Sequence, residues 1–241
     1  MQKTGPLKAV LFDLDDTLFD HRFSSRNSLV TIQQQYSCFQ HITIDELERV
    51  HITLLEEIHL QVLRGTITLD EARIMRMQRL FAHFGEQIPI SIAEEATTFT
   101  RQTYQSFRRV VPGAIALLEA LRSRVKIGIV SNNMLVEQQE KLKHLGLKAY
   151  IDVLVVSEEA GFIKPAAEIF HIALARLQCK AEEAVMIGDA WQNDIVGARG
   201  AGIRAIWLNR AGMPCPDPTL ATEITAFEPI EDVLALLSLP S

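Results

Sequence analysis

The sequence predicts a doubly wound α/β fold, a parallel sheet interrupted near its start by an all-helical insertion. Three observations carry that prediction. Short apolar runs recur along the chain without polar alternation, as strands do when both faces of a parallel sheet are covered. Helical patterns separate these runs, and such alternation implies right-handed crossovers within one sheet. One long stretch between the first and second runs carries no strand signal at all.

The first run is KAVLF, residues 8–12. From about residue 19 to 108 the chain reads as helices only. Ile44, Leu47, Val50, Leu54, Ile58 and Val62 step by three or four, as do Ile92, Ala96 and Phe99, with Phe107 about two turns further on. GTIT (65–68) and HFGEQIPIS (83–91) are the turns, and Thr68 with Glu71 and Ser91 with Glu94 match the capping-box pattern. Four helices are therefore expected in this insertion, forming a separate bundle on the α/β domain. The alternation then resumes. PGAIALLEALRSR presents Leu117, Leu118 and Leu121 on one face ahead of the run VKIGIV (125–130). KLKHLGL closes a helix with Gly146, a natural left-handed terminator. DVLVV (152–156) is the third run. EIFHIALARL repeats Ile169, Phe170, Ala173, Leu174 and Leu177 ahead of AVMIG (184–188), and IRAIWL (203–208) is the last run. The expected domains are 1–18 with 109–241 for the α/β core and 19–108 for the helical insertion. There is no internal repeat and no low-complexity segment.

Composition narrows the classes of function. The chain has 241 residues, enough for a sizeable core, and a net charge of -6, which argues against a general nucleic-acid binder. Cys38, Cys179 and Cys215 are far apart and form no CxxC, as expected of reduced thiols rather than of a disulfide or metal framework. No run reaches the ~18 apolar residues of a membrane span. The N-terminal stretch MQKTGPLKAVLFDLD has its apolar run cut by Asp13, so it does not read as a signal peptide. A cytoplasmic protein is expected, with no membrane partner. Oligomeric state leaves no trace in the sequence.

The polar residues that stand out lie at the ends of the runs, where open α/β sheets place their ligands. Asp13 and Asp15 end the first, within LFDLDDTLFD. SNN (131–133) ends the second, KP (164, 165) follows the third after a loop, and GDAWQND (188–194) ends the fourth. In an extended chain residues two apart point the same way, so Asp13 and Asp15 could face one centre, with Asp189 and Asp194 converging on it. Carboxylates so crowded cannot all stay ionised without a cation. An all-oxygen set without His or Cys suggests Mg²⁺, which takes one or two carboxylates, keeps waters and shares a substrate phosphate. Lys164 would add positive charge for that phosphate, and Ser131 a hydroxyl donor. A carboxylate nucleophile, an adjacent carboxyl group and Mg²⁺ are the parts for phosphoryl transfer through an aspartyl phosphate.

Taken in order, DLDDT (13–17), SNN, KP and GDAWQND resemble the four motifs of the haloacid dehalogenase superfamily, and the likeness covers nearly the whole chain. It implies a Rossmann-like core whose helical insertion is a C1-type cap that opens for substrate and closes to exclude water. It further implies Asp13 as nucleophile and metal ligand, and Asp15 as general acid and base with its main-chain carbonyl on the metal. Thr17 would steady the turn and stand with the phosphate-binding group of Ser131, Asn132 and Lys164. Asp189 would bind Mg²⁺, and Asp194 would bind or orient that shell. The founding dehalogenases lack an acid where Asp15 stands. Its presence favours a phosphatase, because an alcohol leaving group needs a proton and a halide does not. Asn133 replaces a frequent glycine. The resemblance thus implies an Mg²⁺-dependent hydrolase acting on a small phosphorylated metabolite. A phosphomutase or phosphotransferase with the same motifs is the rival within enzymes, and a non-catalytic binding protein the rival outside them.

Three further features stand apart. Within residues 19–108 every Lys/Arg-type cation is arginine, which suits a bidentate grip on an anion but equally a charged helix surface. His21 follows the first motif closely, where a surface or packing role is the plainer expectation. Trp191, inside the last motif, is expected to pack.

Overall fold

The computed structural model describes residues 6–239. The first residues of the stretch read above as not a signal peptide, 1–5, lie outside them. The chain divides into two compact units, one of Met1–Asp20 with Val110–Ser241, the other of His21–Arg109.

The His21–Arg109 unit is helical, with α1 (His21–Gln35), α2 (Ile44–Leu63), α3 (Leu69–His83) and α4 (Ile90–Ser106), and a 3₁₀ turn at Ser37–Phe39. The periodic residues Leu47, Val50, Ile58, Val62 and Ala96 are buried. Leu29, Ile32, Leu47, Met77, Leu80 and Phe81 share one core, where the Phe39 and Phe81 rings meet at 4.7 Å. Thr68 and Glu71 form the expected capping box of α3. Ser91 and Glu94 do not form one: α4 already starts at Ile90, with Pro89 in the cap position. The ring fixes Pro89 at φ -66° and its carbonyl takes the amides of Ile92 and Ala93, so Ser91 falls inside the first turn. Thr43, unremarked in the sequence, caps α2 by accepting the Glu46 amide.

The other unit is built on a sheet of β1 (Ala9–Phe12), β2 (Lys126–Ser131), β3 (Val153–Val156), β4 (Ala184–Gly188), β5 (Arg204–Leu208) and β6 (Ala221–Ile224). All pairs are parallel, in the order β3-β2-β1-β4-β5-β6. The helices are α5 (Ala114–Leu121), α6 (Leu135–His144), the short α7 (Ser157–Ala160), α8 (Ala167–Leu177), the one-turn α9 (Gly197–Gly200) and α10 (Ile230–Leu236). Every expected run is a strand. Side chains alternate between two covered faces. Ala9, Leu11, Val130, Met186 and Ala205 pack with Ile169, Phe170 and Ala173 of α8. Phe12, facing the other way, meets the edge of Phe227 at 6.5 Å. The strand order doubles back between β1 and β4, and a ligand crevice belongs at such a switch point, beyond the carboxyl ends of the strands. Among the described residues no helix is long and apolar enough to cross a membrane. Cys38, Cys179 and Cys215 are free thiols.

Candidate active site

Asp13 is the first residue past β1, at the switch point, and its amide still bonds the Ile187 carbonyl of β4 at 3.0 Å. The chain then turns sharply. The Leu14 carbonyl accepts the amides of Leu18 and Phe19, and Asp16 adopts φ 62°, a left-handed conformation that aspartate tolerates better than most residues. Asp15, before this bend, does not gather with Asp13 in one carboxylate cluster as expected: its oxygens are taken up by Lys141, Gln138 and Asn133. The four aspartates of LFDLDDTLFD take four different places: Asp13 beside Asp189 and Asp194, Asp15 against α6, Asp16 at the bend, and Asp20 paired with Arg210 at 3.1 Å.

Carboxylate oxygens of Asp13, Asp189 and Asp194 lie within 4.8 Å of one another. Asp189 leaves the end of β4. Asp194 sits in the π-helical turn Trp191–Val196, a wide turn of the kind common at functional sites. Gly188 makes that turn possible, since a Cβ there would lie 2.3 Å from Asp194 Oδ2. Lys164 Nζ reaches into the cluster and donates to Asp13 Oδ1 at 2.6 Å, Asp194 Oδ1 at 2.6 Å and the Val130 carbonyl at 2.8 Å. Asp194 Oδ2 accepts the Ala190 amide at 3.0 Å.

Burial pushes the Asp13 carboxyl up to about 7; the Lys164 charge opposes this, and the carboxylates of Asp194 and Asp15 reinforce it. Asp189 is raised well above the usual range by burial, then by Asp13, Asp194 and Asp16. Burial alone would lower Lys164, but the Asp13 and Asp194 carboxylates outweigh it and hold it above its ordinary value. Three carboxylates thus share one ammonium, and the cluster is short of positive charge. A hard divalent cation fits this all-oxygen donor set and would supply the missing charge.

Ser131, the last residue of β2, is buried and its Oγ accepts from Gln138 Nε2 at 2.5 Å. Two of the expected phosphate ligands are committed elsewhere. The Asn132 side chain bonds the Lys164 main chain in both directions, at 2.9 and 2.7 Å, which fixes the loop that carries the lysine. Thr17 is fully buried, donating to Asp189 Oδ1 at 3.2 Å and accepting the Asp189 amide at 3.1 Å. It braces a carboxylate rather than offering its hydroxyl to a phosphate.

Asp15 stands outside the trio. Its Oδ1 meets Lys141 Nζ at 2.5 Å, and its Oδ2 accepts from Gln138 at 3.0 Å and Asn133 at 3.2 Å. Sequence reasoning did not single out Gln138 or Lys141. Their signal was available in the spacing of three, which puts both on one face of the helix that follows SNN. Trp191 packs, as expected: its ring meets Trp207 at 5.0 Å, and Trp207 Nε1 holds the Asp189 carbonyl at 2.8 Å. In the helical unit His21 Nδ1 lies 2.8 Å from the Tyr104 hydroxyl, and Arg22 and Arg26 both pair with Glu48.

A family model described as haloacid dehalogenase-like hydrolase matches residues 7–202. A glyceraldehyde 3-phosphate phosphatase of Methanothermobacter thermautotrophicus is 32% identical over 211 residues, 84% of this chain and 86% of the relative. A ribulose-1,5-bisphosphate 5-phosphatase of Halopiger xanaduensis is 32% identical over 203 residues, 82% of this chain and 83% of the relative. Among solved structures, the Bacillus subtilis protein YfnB, bound to magnesium, superposes with a TM-score of 0.76 at 25% identity. That match covers 98% of this chain and 100% of the other.

Proposed function

The chain belongs to the haloacid dehalogenase-like hydrolase family, and from that premise we propose that it is an Mg²⁺-dependent phosphatase acting on a small phosphorylated metabolite through an aspartyl phosphate. The observation that carries this reading is the placing of Asp13. It is a buried carboxylate at the switch point, 2.6 Å from Lys164 and clustered with Asp189 and Asp194, with a second carboxylate, Asp15, two residues on. The named phosphatases among the relatives support the reaction, and the magnesium-bound neighbour supports the metal. The free thiols accord with a cytoplasmic setting.

Asp13, Asp189 and Asp194, with the Asp15 carbonyl, would hold Mg²⁺, which when bound neutralises charge on the phosphoryl oxygens. Lys164 and Ser131 orient the phosphate. An Asp13 oxygen bonds to phosphorus as the ester P–O bond breaks. The departing oxygen takes a proton from Asp15 and leaves as the alcohol. Asp15, now ionised, takes a proton from the water that attacks the aspartyl phosphate. The P–O bond to Asp13 breaks, inorganic phosphate leaves and both carboxyl groups return to their starting states. Thr17 keeps Asp189 in place, and Asn132 keeps Lys164 in place.

The test is hydrolysis of p-nitrophenyl phosphate and a panel of phosphorylated sugars, acids and nucleotides with Mg²⁺. Release of inorganic phosphate is expected, with selectivity inside the panel. A protein that binds these esters without turnover would contradict the reading.

A further inference from the structure

Helix α6 carries two side chains that the reaction above does not use. Gln138 and Lys141, three residues apart, lie on one face and are both buried, at 0% and 4% exposure. A buried lysine needs a partner for its charge. Lys141 has Asp15 Oδ1 at 2.5 Å, and its ammonium also lies 5.3 Å from the centre of the Phe19 ring. Gln138 spans two expected site residues, donating to Asp15 Oδ2 at 3.0 Å and Ser131 Oγ at 2.5 Å. Asn133 completes the grip on Oδ2 at 3.2 Å. Both Asp15 oxygens are thereby held from α6 and the loop before it. A freely turning Asp15 could bring a fourth carboxylate toward a trio already short of positive charge.

We propose that Lys141, assisted by Gln138, is a positioning residue that fixes the orientation in which Asp15 meets the leaving group. This rests on the acid–base role given to Asp15 above. Lysine acts as a compact point charge on a long stem, and arginine would present a planar fork of different reach. The contact therefore depends on geometry as well as charge.

The experiment is rapid-quench measurement of phospho-Asp13 formation in a single turnover, with Mg²⁺, from p-nitrophenyl phosphate and from ethyl phosphate. Nitrophenolate leaves without a proton and ethoxide does not, so the pair reports on how well Asp15 is aimed. In Lys141→Met the ethyl reaction should slow at least tenfold more than the nitrophenyl reaction, and Lys141→Arg should restore only part of the difference. A purely structural role would lower both rates or both amplitudes alike. Equal losses, or no loss, overturn the positioning role and leave the phosphatase reading intact. A wild-type protein that releases neither nitrophenol nor ethanol from these esters overturns the phosphatase reading, and this inference with it. Circular dichroism checks the fold. If Lys141→Met does not fold, Lys141→Gln and Gln138→Leu are read by the same ratio.

Discussion

Thr17 and Asp189 exchange hydrogen bonds in both directions, hydroxyl to carboxylate at 3.2 Å and amide to hydroxyl at 3.1 Å, although 172 residues separate them. One hydroxyl ties the turn after β1 to the turn after β4. Thr17→Val keeps the shape and removes both bonds, leaving the Asp189 amide without its acceptor. The expected cost is about 1–3 kcal/mol, read as a fall in Tm, together with weaker Mg²⁺ binding in a titration. Thr17→Ser should keep most of both.

Gly188 offers a sharper steric test. Asp194 cannot yield to a new methyl group 2.3 Å away, because both of its oxygens are bound, one to Lys164 and one to the Ala190 amide. Gly188→Ala is therefore expected to destabilise the protein by several kcal/mol, on the order of other overpacked buried positions, and to abolish Mg²⁺ binding. Gly200→Ala, where a Cβ meets nothing within 4 Å, is the control and should leave Tm nearly unchanged. Thermal melts of the two variants settle the comparison.

The charge shortage in the cluster has a pH signature. Asp13 titrates at about 7 in place of its ordinary 3.8, so between those values the folded state holds a proton that the unfolded chain has released. Stability of the metal-free protein should therefore fall as pH rises through that window and level off above it. At about 1.4 kcal/mol per pKa unit, the effect is on the order of a few kcal/mol. Glu71, Glu183 and Asp217 are held below their ordinary values and act in the opposite sense. The difference between wild type and Asp13→Asn in EDTA cancels them. Asp13→Asn should be the more stable protein at pH 8 and should lose that advantage near pH 4. Adding Mg²⁺ should stabilise wild type at pH 8 far more than the variant. Parallel curves for the two proteins would contradict the electrostatic account.

Much of this site was legible in the sequence, for a physical reason. A parallel strand buried on both faces is written as an apolar run, so its end is easy to see, and polar residues at such ends gather in the crevice. Asp13, Lys164, Asp189 and Asp194, expected to converge on that ground, do lie together. What the runs could not convey was where Asp15 finds its partners. Lys141 and Gln138 of α6 hold it outside the trio, and a period-two rule cannot register partners so far along the chain. Nor could it show that Asn132 and Thr17 are turned onto the protein, since a side chain's partner across many residues leaves no local pattern. The edge strand β6 was missed because Ala221–Ile224 is short and largely exposed. At Ser91 the capping-box pattern is overridden by Pro89, which takes the cap position and leaves Ser91 inside the first turn.

In the proposed reaction Asp13 carries the phosphoryl group and Asp15 moves the proton. Rapid-quench kinetics of Asp15→Asn with p-nitrophenyl phosphate, followed by mass spectrometry of the quenched protein, tests it most directly. Asparagine at 15 cannot activate water, so the variant should release about one equivalent of nitrophenol and stall with phosphate on Asp13. Asp13→Asn under the same conditions should release none. Phosphate on any residue other than Asp13, or steady hydrolysis of alkyl esters by Asp15→Asn at the wild-type rate, would contradict the claim.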